Sequence, residues 1–268
     1  MLNRFDNQAE HFDRRAGLPE AVCQAVAQAV VEMAGTPRGG LLLEVGAGTG
    51  LIGQHLQKLP IRYVGFDISS PMLQVFRKRL LPLGAEVELI EADGNRRWPV
   101  PDASTAIIFS SRALHLLDQK HVYHEVFRAA TTHGWALITG RVHRDVDSMK
   151  AEMARQMRQF LQELGMQGRG GEHIRQELFD RFCACGGVLL EPVTAATWER
   201  EYTPLQTIES WESIQGLAGI SVSAEVKQTV LERVRRWAVQ RYDDLRRPFV
   251  VREMYLLEGV KIPTHRET

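Results

Sequence analysis

The chain has 268 residues, with 33 Lys and Arg balancing 33 Asp and Glu, and 44% of its residues are hydrophobic. That length suffices for one large core, and the even charge argues against the strong positive field of a protein held on nucleic acid by phosphate contacts. Three cysteines, two of them the closely spaced Cys183 and Cys185, fit neither a disulfide framework nor a familiar zinc or redox spacing.

No apolar run approaches the roughly twenty residues needed to span a bilayer, and Asp6, Glu10 and Asp13 do not suit a signal peptide. A soluble, cytoplasmic protein without membrane or nucleic-acid partners is expected, as monomer or homodimer, with reduced cysteines that act as packing residues.

In chain order, an amphipathic helix is expected from about residue 19 to 33. The run Leu41-Leu42-Leu43-Glu44-Val45 then reads as a strand buried on both faces. It passes through Gly46, Ala47, Gly48, Thr49 and Gly50 into a helical pattern. Glycines leave backbone amides bare and accept positive φ, so this turn is shaped to lie against a ligand. A second strand, 62 to 67, closes on Asp67, about twenty residues on, where a carboxylate can accept hydrogen bonds from both hydroxyls of a free ribose. The dinucleotide fingerprint would place its third glycine at Leu51, so NAD is disfavoured.

Strands near 86 to 91, 104 to 110 and 134 to 140 follow, separated by helices near 50 to 59, 70 to 81 and 118 to 130. This alternation predicts right-handed crossovers and a parallel sheet. Helical spacing of Val146, Met149, Met153, Met157, Phe160 and Leu164 predicts an inserted helix over 145 to 164, ended by the glycines from 165 to 171. A helix over 172 to 182, a strand within 188 to 202, a helix marked by Val222, Val226, Val230, Val234 and Trp237, and a strand over 249 to 257 complete the chain.

The Glu44 to Gly50 turn, Asp67 after the second strand, and Glu91-Ala92-Asp93-Gly94 after the third together resemble class I S-adenosylmethionine-dependent methyltransferases. Within them the chain is similar to the small-molecule, type 11 branch that includes quinone-ring and biotin-pathway enzymes, and the opening from Phe5 to Arg15 shares that likeness. The resemblance covers roughly residues 1 to 140. It implies an α/β, Rossmann-like doubly wound sheet of seven strands, mostly parallel with an antiparallel last strand, plus an inserted helical segment. One domain would span 1–268: cap helices to 35, a cofactor-binding core over 36–142, the insertion over 143–185, and C-terminal strands and helix over 186–268.

The resemblance further implies S-adenosylmethionine as cofactor. Glu44 would reach its amino group, the backbone from Gly46 to Gly50 would lie against ribose and amino-acid tail, and Asp67 would hold the ribose. Ile68 and Met72 would flank the adenine, Asp93 and Gly94 would meet its edge, and Ser110 would stand beside the methyl donor. Structural alternatives stand beside these: an N-cap or Asx turn for Asp67, a loop turn for Asp93, plain core for Ile68 and Met72. His115 is a candidate general base by its pKa near 6.5, or else a packed histidine.

His11, Phe12, Arg14 and Arg15 would cover the cofactor and meet substrate. His143 and Met149 are further substrate candidates, although methionines at helical spacing also serve as core. His121 and His124 lie one helical turn apart on a charged face, which reads as solvated rather than metal-binding. Two other functions compete: a non-catalytic S-adenosylmethionine sensor, and a nucleic-acid or protein methyltransferase. The latter would carry an Asn-Pro-Pro-Tyr type of motif where this chain has Phe109-Ser110-Ser111-Arg112.

Overall fold

The computed structural model describes Asp13 and residues 17–35, 40–83, 87–132, 135–168, 171–214 and 216–262. Strand β1 (Leu41–Val45) is buried at every position and β4 (Thr105–Ser111) at all but its last, as apolar runs must be when helices cover both faces of a sheet. Around them lie β2 (Arg62–Asp67), β3 (Glu88–Glu91), β5 (Trp135–Arg144), β6 (Val188–Tyr202) and β7 (Phe249–Ile262). The sheet order is β3-β2-β1-β4-β5-β7-β6.

β1 pairs in parallel with β2 and with β4, β2 with β3, and β4 with β5. β7 runs the other way: Thr139 bonds to Glu258 while Asp145 bonds to Arg252, so one strand's numbering rises as the other's falls. The strand order reverses between β1 and β4. In open α/β sheets ligands bind at such a reversal, beyond the carboxyl ends of the strands.

The helices are α1 (Glu20–Ala34), α2 (Gly53–Leu56), α3 (Ser70–Leu80), α4 (Gln119–Ala129), α5 (Met149–Glu163), α6 (Gly171–Ala184), α7 (Pro204–Glu212) and α8 (Ala224–Tyr242). Several elements differ from expectation, β7 among them, which runs five residues past the expected 257. The helix expected over 50 to 59 is a single turn, because Lys58 and Leu59 bond back three residues, to His55 and Leu56, in the tighter pattern that ends a helix ahead of Pro60. β5 continues to Arg144, where the neighbouring Asp145 still bonds to β7. α7 is an addition, begun by a capping box between Thr203 and Gln206 with Pro204 in its first turn.

By Cα proximity the chain forms two compact units, one of 1–141, 172–196 and 255–268 and the other of 142–171 and 197–254. In the first, Leu43, Phe66 and Ile108 of the sheet pack with Trp98, with Val122 and Val126 of α4, and with Phe182 of α6. In the second, Met149, Met153, Met157 and Leu161 of α5 meet Val230, Val234, Ala238 and Tyr242 of α8, with Ile208 of α7 beside them. Both stripes recur every fourth residue, which makes ridges that interdigitate. The helices expected together over 143 to 185 are therefore divided, α5 in the second unit and α6 in the first. Among the described residues no helix is long and apolar enough to cross a membrane.

Candidate functional site

Gly46, Gly48 and Gly50 all have positive φ, at 75°, 55° and 77°, so each needs the freedom of glycine. Their surroundings differ. A Cβ on Gly46 would lie 2.3 Å from Ala113, and one on Gly50 would lie 2.0 Å from the ring of Phe76, whereas Gly48 has nothing closer than 4.0 Å. Two glycines therefore let the protein pack against itself, and the middle one leaves its side of the turn open.

The turn is tied to the end of β2. Gly46 and Ala47 donate their N–H groups to the Phe66 carbonyl, each at 2.9 Å, and Gly48 donates to Asp67 Oδ2 at 3.0 Å. Asp67 Oδ1 accepts from the Ser69 N–H at 2.9 Å. The carboxylate is thus fixed at the strand ends by backbone donors from both sides, and the Asx turn forms together with the contact to the glycines.

Glu44 is 2% exposed. Its Oε2 accepts from the Tyr63 hydroxyl at 2.5 Å, and a Cβ on Gly53 would come within 2.6 Å of it. Burial, opposed by that hydrogen bond and aided by the negative charge of Asp67, pushes its pKa from 4.5 up to about 8. Burial pushes the Tyr63 phenol well above its ordinary value too. At neutral pH the pair is a neutral acid and a neutral phenol sharing one short bond.

Met72 is buried in the first turn of α3, whereas Ile68 is 47% exposed. The two do not form a matched apolar pair. Asp93 Oδ1 accepts from the Asn95 N–H at 2.9 Å, the turn reading realised. Gly94 is buried beneath Leu117 and its carbonyl accepts from the Trp98 indole. The Ser110 hydroxyl donates to the Val45 carbonyl at 2.8 Å, joining the ends of β1 and β4. Arg112, just beyond, has a φ of 62°, a conformation that costs a non-glycine residue energy and tends to cluster at functional sites. His115 follows on a 3-10 turn, Leu114–Leu116, with its side chain exposed.

Substrate candidates fall elsewhere. His143 is half-buried on β5. Met149 is core, yet it also borders a cavity of about 280 Å³ in the second unit, with Arg241, Arg247 and Phe249. His11, Phe12, Arg14 and Arg15 lie outside the described residues. Among the described residues no three of His, Cys, Asp and Glu are placed to hold a metal. His121 bonds instead to the Arg96 carbonyl. The cysteines are free thiols: burial pushes Cys23 up to about 11, and Cys185 is exposed rather than packed, within 2.8 Å of the Tyr123 hydroxyl.

Sequence reasoning missed a clamp on the turn. Thr49 donates its hydroxyl to Asp13 Oδ1 at 2.7 Å, Asp13 pairs with Arg79, and Arg79 Nε donates back to the Thr49 carbonyl at 3.1 Å. Asp13 was visible only as part of a charged opening, and nothing in the α3 pattern marks Arg79.

Residues 42–134 match the family described as Methyltransferase domain. A search of the curated proteins finds no match. Among solved structures the chain is similar to the YcgJ protein of Bacillus subtilis, at 14% identity over 91% of this chain and 99% of that one, with a TM-score of 0.56. It is similar to a candidate methyltransferase of Bacillus halodurans C-125, at 15% identity over 89% and 99%, TM-score 0.55. A candidate S-adenosyl-L-methionine-dependent methyltransferase of Methanococcus maripaludis shares 19% identity over 68% and 86%, TM-score 0.51. Likeness at these identities is one of fold. The family match takes in the glycine turn, Asp67, Asp93 and Ser110, so that residues 42–134 are similar in sequence to a methyltransferase domain.

Proposed function

We propose that this chain transfers the methyl group of S-adenosylmethionine to a small-molecule acceptor, with the site built at the carboxyl ends of β1, β2 and β4. The observation that carries the reading is the Gly48 to Asp67 contact beneath an open face of the turn. The Asp67 carboxylate is fixed beside the open side of Gly48, which supports the approach of an adenosyl ligand to both.

When bound, the cofactor supplies a methyl group on a sulfonium that is already activated for displacement. The protein's task is then placement. The backbone from Gly46 to Gly50, with Ala47 and Thr49 between the glycines, supports ribose and amino-acid tail. Asp67 accepts from the ribose hydroxyls, and Glu44 supplies the acid nearest the tail. Ile68, Met72, Asp93 and Gly94 border the adenine, with Met72 giving the buried wall and Ile68 the exposed one.

Ser110 holds the β1 and β4 ends together, and His115 stands beyond them to take a proton from the acceptor. Positioning of two reactants contributes roughly 7 to 11 kcal/mol, and a general base roughly 10²- to 10⁴-fold. Placement therefore outweighs proton removal here.

Calorimetric titration of the full chain with S-adenosylmethionine and with S-adenosylhomocysteine tests the reading. Saturable heat and a thermal shift are expected with both. Their absence in a folded sample overturns it. Turnover to S-adenosylhomocysteine in the presence of a metabolite pool is expected for an enzyme, whereas binding without turnover would identify a sensor.

A further inference from the structure

Within the second unit, β5, β6 and β7 bring an unusual set of charges to one place. Glu253 of β7 is 2% exposed. Arg144 Nε donates to its Oε1 at 2.6 Å, Trp198 Nε1 donates to its Oε2 at 3.0 Å, and the Tyr202 hydroxyl lies 3.3 Å from both oxygens. The carboxylate is therefore fully engaged. A buried acid held this way is stable only while its partners stay in place.

Two more cations crowd the same group. Lys150 Nζ sits 3.5 Å from the centroid of the Tyr202 ring, and Arg200 is within 3.5 Å of the Tyr202 hydroxyl. Among the described residues neither has a carboxylate within ion-pair distance. Glu199 and Glu201 alternate to the other face of β6 and are exposed. Three cations thus share one acid that Arg144 already neutralises.

The position of Lys150 adds to the imbalance. It lies in the first turn of α5, a helix of fifteen residues capped by Ser148, where the helix dipole disfavours a cation and favours an anion. Burial, together with the charges of Arg144 and Arg200 and against that of Glu253, lowers its pKa from 10.5 to about 8. Like charges held together at partial burial repel unless an anion joins them. Arg144, Lys150, Arg200, Trp198 and Tyr202 are all half-buried, so the group is open to solvent on one side.

We propose that Lys150 and Arg200, oriented by Tyr202 and the Arg144–Glu253 pair, form a subsite for an oxyanion, the carboxylate or phosphate group of an acidic ligand. The binding of the oxyanion does not depend on the methyltransferase reading.

The test is thermal unfolding of the full chain titrated separately with inorganic phosphate and with acetate, chloride being varied to hold ionic strength constant. At ten times the dissociation constant the midpoint should rise by roughly 3 to 5 °C. A rise with phosphate alone assigns a phosphate ligand, and one with acetate alone assigns a carboxylate. Lys150→Met and Arg200→Met should each weaken the response at least tenfold, and Lys150→Arg should keep most of it.

No rise with either anion beyond that of chloride overturns the proposal, as does an undiminished rise in both Met variants. Titration of the same samples with S-adenosylhomocysteine separates the two readings. Loss of that binding with the anion response intact sinks the cofactor assignment alone.

Discussion

The Tyr63 hydroxyl and the Glu44 carboxyl, nineteen residues apart on neighbouring strands, share a hydrogen bond of 2.5 Å inside the sheet. Because folding holds the Glu44 proton up to about pH 8 while the unfolded chain releases it near 4.5, the sign of the pH dependence follows. The stabilising contribution of the protonated acid is complete below about 4.5, declines as pH rises, and is gone above 8. The interval corresponds to at most about 5 kcal/mol. Urea unfolding of the wild type and Glu44→Gln at pH 5 and pH 8 should show the wild type losing more stability between the two than the variant does. Parallel losses would contradict the buried neutral acid. Tyr63→Phe, which removes the bond that favours the charged form, should move the decline to higher pH.

Gly50 and Gly48 should respond oppositely to the same change. Gly50→Ala drives a methyl into the Phe76 ring at positive φ, and overpacking of that kind costs roughly 1 to 3 kcal/mol before backbone strain is added. Gly48→Ala meets only the strain, and its methyl points into the open face of the turn. Thermal unfolding should show Gly50→Ala as the less stable variant, and calorimetry should show Gly48→Ala with the larger loss of cofactor affinity relative to its loss of stability.

Asp67→Ala removes the acceptor for Gly48 and Ser69 together with the proposed ribose contact. Binding of S-adenosylhomocysteine should weaken by at least about 1.5 kcal/mol, the scale of a lost hydrogen bond to a charged group, or more than tenfold. Unchanged affinity in a folded variant would remove Asp67 from the site.

His115→Ala should leave cofactor affinity within about twofold and lower kcat by 10²- to 10⁴-fold if the ring accepts the acceptor's proton. Any acid limb of the kcat profile that the His115 ring sets should vanish with it. A variant that keeps both rate and profile would leave His115 as a turn residue.

How much of this was legible in advance depended on the range of the interaction. β1 was readable because burial on both faces leaves an unbroken apolar run, and Gly46, Gly48 and Gly50 because positive φ admits few alternatives. α5 and α8 were readable from a stripe every fourth residue. α7 was overlooked although Thr203, Pro204 and Gln206 spell a helix start. It is only nine residues long, too short for a repeating stripe to show. The Tyr63 bond to Glu44 depends on which residues two parallel strands bring alongside, and the Arg79 contact with Asp13 spans 66 positions. Neither leaves a local trace. The partition of the late helices between two units also depends on which apolar stripe each one meets.

The bond from Thr49 couples Asp13 to the floor of the glycine turn. Linkage is reciprocal. Whatever steadies the turn also steadies Asp13, and whatever displaces Asp13 is registered at the turn. An expression tag placed ahead of Asp13 is thereby a variable in any affinity measured on this protein.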